Sequence, residues 1–454
     1  MAGRLFRVVI VGGGAAGAFV AANLLRVGES GLEVVVVEPR EELVLGVAYS
    51  TRDPWHRLNV PAGAMSAIAD DPDHFRRWAD LAPEAFARRV DYGRYVQAVI
   101  AETVASSAAT LLHIRAHAER LEPHAGGLRV TLSDGQALEA DAVVLATGVE
   151  TPVQLPYLTA LGGDDRVIGD PWVPGVLEHV GDGSTVAIIG TSLTAVDLAG
   201  SILNRDPAAN VIALSRNGDL PLPHEDPWRP RLPEPPFTVA EFLAFDDPLA
   251  EAAARLRASG EDWPRAVDSL RPISQALWMA MGDDLRQRFL DEYRHDWEIH
   301  RHRMAAEIAR DLDAWIAQGR LAVLAASIEA VESSGRRLRI RARRAAGAGA
   351  EPVSWEVDRV IVAIGPNMDP AANPLLGAAI ADGIVRPGPL GIAIDVDPVT
   401  GLVIDGDGER RLPVFAMGAL RKGVLWETLA VPEIRQQAAD VARQLLALGA
   451  SDGA

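Results

Sequence analysis

Two stretches of the chain carry the same pattern: a short apolar strand, a turn built on glycine, then a helix. The first is RVVIV at 7–11, running into GGGAAG and an alanine-rich helix through about Arg26; EVVVV at 33–37 follows and ends at Glu38. The second is TVAIIGTSLTAVDLAGSIL, followed by NVIALSR. Short Val/Ile runs alternating with helical patterns read as βαβ units with a parallel sheet. Opening this way twice constrains the chain to the α/β class, with two nested Rossmann-like domains.

Each unit also closes alike. AVVLATG ends the first and DRVIVAIG the second, and more chain lies between opening and closing in the second copy. PLPHEDPWRPRLPEPP is too rich in proline for helix or central strand. Beyond it, Thr238 and Glu241 form a capping box, and helical patterns run to about Ala317. VFAMG and a last helix over 432–448 return the chain to the first unit, and the tail ASDGA is expected to be mobile. The predicted organisation is a discontinuous first domain (1–165 and 360–454), a second domain (166–359), and a mostly helical insertion in it (219–318).

Gly12, Gly14 and Gly17 make G-x-G-x-x-G between strand and helix, with Glu38 at the end of the next strand. The glycines permit a tight turn, close backbone approach to a pyrophosphate and close helix–strand packing, and the acid suits ribose hydroxyls. The competing reading is a glycine-rich turn without function, which the strand, the helix and the acid together make the weaker one. In the second loop only Gly190 remains; Ser192 replaces a glycine and Ala195 is an allowed third position. The next strand ends Ser215-Arg216, with no acid. A carboxylate there would repel a 2′-phosphate and an arginine would bind one, which points to NADPH rather than NADH. The competing reading is an arginine solvated at a strand end.

The chain has no cysteine, so it has no disulfide, thiolate nucleophile, Cys-ligated zinc or iron–sulfur cluster. Its net charge of −18 argues against nucleic-acid and anionic-membrane partners. The apolar run near the N-terminus is too short for a signal segment, and no stretch reaches the roughly 20 apolar residues of a membrane span. The expectation is a cytoplasmic protein.

The longer strings GVAYSTRDPWHRLNVPAGAMSAIADDPDHFRRWA, GTSLTAVD, DSLRP, HRHRM and GALRKGVLWETLAVPEIRQQA resemble the FAD/NAD(P)-binding protein family of two-dinucleotide-binding-domain flavoproteins. The resemblance reaches the flavin-dependent amino-acid N-monooxygenases that convert aspartate to nitrosuccinate. It implies FAD in the first fingerprint, at Gly12, Gly14, Ala15, Ala16, Gly17 and Glu38. Further FAD contacts are implied at Asn59, Val60, Met65, Ser66, Thr147, Gly148, Gly418, Trp426, Glu427 and Thr428. It places NADPH at Gly190, Thr191, Ser192, Leu193, Thr194, Ser215 and Arg216. The implied activity is a single-component N-monooxygenase using molecular oxygen on a small amino substrate, through a flavin C4a-hydroperoxide. The alternatives are a reductase with the same cofactors and a non-catalytic flavin-binding sensor. Two departures stand out. Residues 167–174 (VIGDPWVP) lack the histidine of the Baeyer–Villiger-type fingerprint, and Gly418-Ala419 replaces the usual Gly-Asp.

No catalytic side chain is singled out. The insertion is expected to cover the nicotinamide side of the flavin and to offer Arg271, Arg294 and Arg303 to a substrate carboxylate, beside Arg301, His300 and His302. The plainer alternative pairs these arginines with Asp291, Glu292, Asp296 and Glu298 on a solvated face. His300 and His302 are about 200° apart on a helix, and no metal site is expected. Trp78, Trp278, Trp297 and Trp315 sit at helical positions and read as core. The oligomeric state is not legible.

Overall fold

A computed structural model describes residues 5–451 except 29, 149–152, 154, 182, 230, 347 and 348. Arg4 and the tail beyond 451 lie outside the described residues. Two five-stranded parallel sheets form the frame. The first sheet uses β1 (Phe6–Val11), β2 (Leu32–Val37) and β3 (Thr110–Ile114). An antiparallel meander follows, β4 (Ala118–His124), β5 (Gly127–Leu132) and β6 (Ala137–Ala140), and then β7 (Ala142–Leu145). The second unit begins with the short β8 (Val167–Ile168), then β9 (Thr185–Ile189), β10 (Asn210–Ser215) and β11 (Leu321–Ala325). Its own meander is β12 (Ser327–Ser334), β13 (Arg337–Ala346) and β14 (Gly349–Val357), closed by β15 (Arg359–Val362); β16 (Val414–Ala416) comes last.

The strand orders are β16-β7-β1-β2-β3 and β11-β10-β9-β15-β8. Set β1 on β9 and four strands coincide, β7-β1-β2-β3 on β15-β9-β10-β11. Each three-stranded meander then falls between the third strand and the closing strand. The physical cause is legible in β1 and β2. Val8, Ile10, Val34 and Val36 face one core, and Val9, Val11, Val35 and Val37 face the other. Strands apolar on both faces need helices or other layers on both sides.

The helix Ala15–Val27 lies on the first sheet, and the last helix, Val431–Ser451, packs over it. Phe19, Ala22 and Leu25 share a core with Ile434, Ala438, Val441 and Leu445. The inserted helices, from Val239–Ala244 through Arg294–Arg301, have a core of their own. Phe242, Leu249, Trp278 and Phe289 build it, and Trp426 of the returning chain completes it. The capping box at Thr238 is formed with both of its hydrogen bonds.

Two boundaries differ from expectation. The break expected at 359/360 would cut β15, which pairs with β9 along its length; the chain returns to the first domain only after Val362. The helix Ala306–Ala317, expected within the insertion, packs Ile308, Leu312 and Trp315 against Val186, Ile188 and Ile202 of the second sheet. Its apolar face needs a sheet, not another helix layer. Trp278 and Trp315 are core residues, but Trp78 is 43% exposed, its ring 5.5 Å from Tyr95.

Candidate cofactor and substrate site

The two glycine loops are built alike. Gly12 has φ +101° and donates to the Val37 carbonyl at 2.9 Å; Gly190 has φ +123° and donates to the Leu214 carbonyl at 2.7 Å. A Cβ on either would lie 2.4 Å from a backbone oxygen, that of Ala146 or of Ala363. Only glycine fits both demands. Gly14 and Ser192 cap the helices Ala15–Val27 and Leu193–Arg205 with nearly the same backbone, φ −67°, ψ −174° and φ −77°, ψ −174°. Neither gives a side-chain cap, so the first N–H groups of both helices remain open to an anion. At the third position the loops part. A Cβ on Gly17 would sit 2.0 Å from the Gly12 oxygen, whereas Ala195 carries one, buried.

Register fixes the next comparison. Val11 pairs with Val37 and Ile189 with Leu214, so Glu38 and Ser215 occupy equivalent places. Glu38 is buried; Oε2 accepts from Gly13 N–H at 2.8 Å and Oε1 from Arg40 N–H at 3.1 Å. Ser215 Oγ accepts from Thr191 Oγ1 at 3.0 Å and from Gly218 N–H at 2.8 Å. Arg216 follows, exposed and without an ion-pair partner among the described residues. Two copies of one loop thus present a fixed carboxylate in one case and a free guanidinium in the other.

Other expected FAD positions fall into two groups. Gly418 (φ +58°) donates to Gln437 Oε1 at 3.1 Å, and its carbonyl accepts from Thr428 Oγ1 at 3.1 Å. A Cβ on it would lie 3.5 Å from that of Ala16, so this segment meets the fingerprint helix. Trp426 has φ 57° and ψ −68°, and Glu427 N–H donates to Leu425 O at 2.7 Å, a γ-turn that few side-chain-bearing residues adopt. Thr147 and Gly148 follow β7 at the same C-terminal end of the parallel strands as Gly12, which follows β1. Asn59 and Val60 are half-buried. Met65 lies in the first core, and Ser66 Oγ donates to the Asp71 carbonyl at 2.6 Å, so these two side chains are spent on holding their own loop.

The three arginines expected at a substrate lie in three different settings. Arg271 is held by both prongs on Glu433, Nε and Nη2 each at 2.8 Å. Arg294 is 51% exposed and pairs with Glu298 at 3.2 Å, the plainer alternative. Arg303 is buried and pairs through Nη2 with Asp268. Arg301, the last residue of its helix, pairs through Nη2 with Glu427 at 3.0 Å. Arg301 Nε and Arg303 Nε are buried with no acceptor among the described residues, as is Trp297 Nε1. Burial alone would raise the Glu427 pKa; Arg301, His302, Arg271 and Lys422 outweigh it and hold the carboxyl below its ordinary range.

The histidines separate. His295 lies 2.9 Å from Asp219, His300 stacks on Trp263 at 3.8 Å, and His302 caps its helix. Near the stretch that lacks a fingerprint histidine, His56 of the first domain puts its ring 6.0 Å from that of Trp172. His56 is buried, 2.8 Å from both Thr51 Oγ1 and Ser201 Oγ. Sequence reasoning passed over His224, in the proline-dense segment. Its one signal is a titratable ring in a stretch that cannot be regular helix.

Two nested dinucleotide-binding domains, each on its own parallel sheet, define the class of fold, and comparison with known proteins agrees. Residues 9–150 match the family model described as FAD-NAD(P)-binding. An uncharacterised monooxygenase of Sinorhizobium fredii (strain NBRC 101917 / NGR234) is 26% identical over 265 residues, 56% of this chain. The match spans 36% of that relative's own length. Among solved structures, the reduced form of ornithine hydroxylase from Pseudomonas aeruginosa is 17% identical with a TM-score of 0.65, covering 98% of this chain and 99% of that one. Ornithine N-hydroxylase of Kutzneria sp. 744, solved with reduced FAD, NADP+ and L-ornithine, is 16% identical with a TM-score of 0.64, covering 97% and 98%. At these identities the likeness is one of fold. No helix among the described residues is long and apolar enough to cross a membrane.

Proposed function

We propose that this chain is an FAD- and NADPH-dependent N-monooxygenase of a small amino acid, with aspartate the first substrate to try. The observation that carries the reading is the contrast between Glu38 and Ser215-Arg216 at equivalent places in two like loops. One loop suits a ribose with free hydroxyls, the other a ribose bearing a 2′-phosphate. The residues fit the two groups. Gly14 leaves its cradle open, the nearest atom to a Cβ there being Gly46 Cα at 3.6 Å, and both helix N-termini are uncapped. Bound flavin would take hydride from NADPH and activate molecular oxygen. The protein's part is to hold both dinucleotides, to seat the amine and to keep water out. The fold of two ornithine hydroxylases supports an amine as the oxygen acceptor. The absence of cysteine leaves no thiol of its own for a disulfide reductase.

The substrate's carboxylate would meet Arg301 and Arg303. Each uses one nitrogen on a protein carboxylate and leaves Nε buried without an acceptor. Such an orphan donor is costly until a ligand fills it. The test is direct: load the protein with FAD, add NADPH, oxygen and L-aspartate or L-ornithine, and follow NADPH, peroxide and product mass together. NADPH loss that yields only peroxide with every amine sinks the reading.

Two expected results follow from these residues. Arg216→Ala should lose roughly ten- to hundredfold of the preference for NADPH over NADH, the worth of a charge-assisted hydrogen bond to phosphate. Equal use of the two nicotinamides by the unaltered protein would exclude the role. Arg303→Lys keeps the charge beside Asp268 and removes Nε; substrate KM should rise about tenfold or more. Arg294→Ala should leave KM unchanged. Equal KM values in all three proteins would place the carboxylate elsewhere.

A further inference from the structure

His224 lies between the Asn59 carbonyl and the Arg303 segment, and none of the roles above uses it. Its segment runs extended beside Met304: His224 N–H donates to the Met304 carbonyl at 2.8 Å, and Met304 N–H donates to Leu222 at 2.9 Å. Two backbone bonds therefore fix the residue next to Arg303. The residue is 9% exposed, and its ring lies 4.8 Å from that of Phe86. Nε2 is 3.1 Å from the Asn59 carbonyl, on the loop expected to wrap the flavin.

That contact settles the tautomer. A carbonyl oxygen only accepts, so Nε2 carries a hydrogen, and in the neutral ring Nδ1 is a bare lone pair. Burial first, then Arg303 and Arg301, hold the ring's pKa down to about 4, against the Asn59 carbonyl and Glu225. The ring is neutral at pH 7. Nδ1 is buried and has no partner among the described residues. Nearby, Arg301 Nε and Arg303 Nε are buried donors without acceptors. A ligand that satisfies all three has acceptor oxygens at one end and an N–H at the other, as an amino acid does.

We infer that His224 Nδ1 receives a hydrogen bond from the substrate's amino group, seating that nitrogen between the Asn59 loop and the arginine pair and selecting amines over des-amino acids of the same shape. The inference rests on the reading above in taking the substrate to be an amine whose carboxylate meets Arg301 and Arg303. No bond is made or broken in the step.

Binding to the oxidised, FAD-loaded protein without NADPH tests it apart from turnover. The probes are L-aspartate, L-ornithine and succinate, titrated calorimetrically. His224→Gln keeps a donor toward Asn59 and removes the acceptor at Nδ1. It should lose about ten- to hundredfold of the affinity for aspartate and leave that for succinate within about twofold. His224→Asn, whose amide oxygen can reach the place of Nδ1, should recover most of the loss. A purely structural role would weaken aspartate and succinate alike, and that result overturns the inference. So does an unchanged aspartate affinity in His224→Gln, or an unaltered protein that binds neither amine. If the Gln variant does not load FAD, 15N spectra of the unaltered protein decide: the bare Nδ1 signal should move with aspartate and not with succinate, and no movement overturns the inference. A protein that binds aspartate through Nδ1 but forms no N-oxidised product would refute the monooxygenase reading and leave His224 standing.

Discussion

Truncating Glu427 to alanine should destabilise the protein by about 3–5 kcal/mol, the cost of leaving one partner of a buried ion pair alone. The pair is Glu427 with Arg301 at 3.0 Å, and both side chains are at most 10% exposed. Arg301 has little recourse, since its Nε already lacks an acceptor. The backbone carbonyl of Glu427, which accepts from Gln275 Nε2 at 2.6 Å, is spared by the truncation, so the loss reports on the ion pair. The effect should depend on pH. A carboxyl whose pKa is depressed by folding adds stability that is fully present above its unfolded value, roughly 4.3, and that is lost as pH falls through the lower folded value. Denaturant midpoints should therefore separate most between the variant and the unaltered protein at neutral pH, and converge on acidification below about pH 4. Replacing both partners with apolar residues, Glu427→Leu with Arg301→Met, should recover much of the loss. A single variant as stable as the unaltered protein at pH 7 would show that the pair is wetter than its geometry says.

Gly17→Ala should give protein that purifies with little or no FAD. The added Cβ would lie 2.0 Å from the Gly12 oxygen and 3.1 Å from Ile10 Cγ2. Relief requires the helix to lift from β1, but its outer face is packed under the last helix through Ala438, Val441 and Leu445. Overpacking of this kind costs about 1–3 kcal/mol, and any shift also moves the N–H groups at Gly14–Ala16, to which the proposed function gives the pyrophosphate. The reverse change in the second loop, Ala195→Gly, opens no clash and costs up to about 1 kcal/mol of helix propensity. The flavin-to-protein absorbance ratio compares the two. Full flavin content in Gly17→Ala would show that the close helix–strand contact is not required.

The glycine loops were readable in the sequence because backbone geometry leaves no substitute at Gly12 and Gly190. The strands were readable because both faces of β1 and β2 are apolar. The Ser215-Arg216 ending was readable too, although only the register of β10 on β9 shows that Ser215 answers to Glu38. What sequence could not rank was the arginines. Arg271, Arg294, Arg301 and Arg303 look alike along the chain. Their standing depends on Glu433, Glu298, Glu427 and Asp268, and the glutamates at 427 and 433 arrive from a distant segment. Position along the chain misleads for a second reason: the helix ends at Arg301, the backbone turns away at His302 (φ −101°, ψ 69°), and Arg303 therefore does not continue the helix that carries Arg294. His224 was invisible because its meaning lies in a carbonyl on another loop.

The two sheets also differ in when they can be finished. Every strand of the second sheet has left the ribosome once Val362 has emerged, so that domain can close while the rest is still being made. The first sheet waits for Val414–Ala416 to form its edge, and the fingerprint helix stays uncovered until Val431–Ser451 arrives. The second domain should thus mature before the first, although its residues come later than the fingerprint. Flavin uptake by nascent chains would then mark the docking of the last helix, and a ribosome stalled near residue 400 should display a folded second domain and no yellow colour.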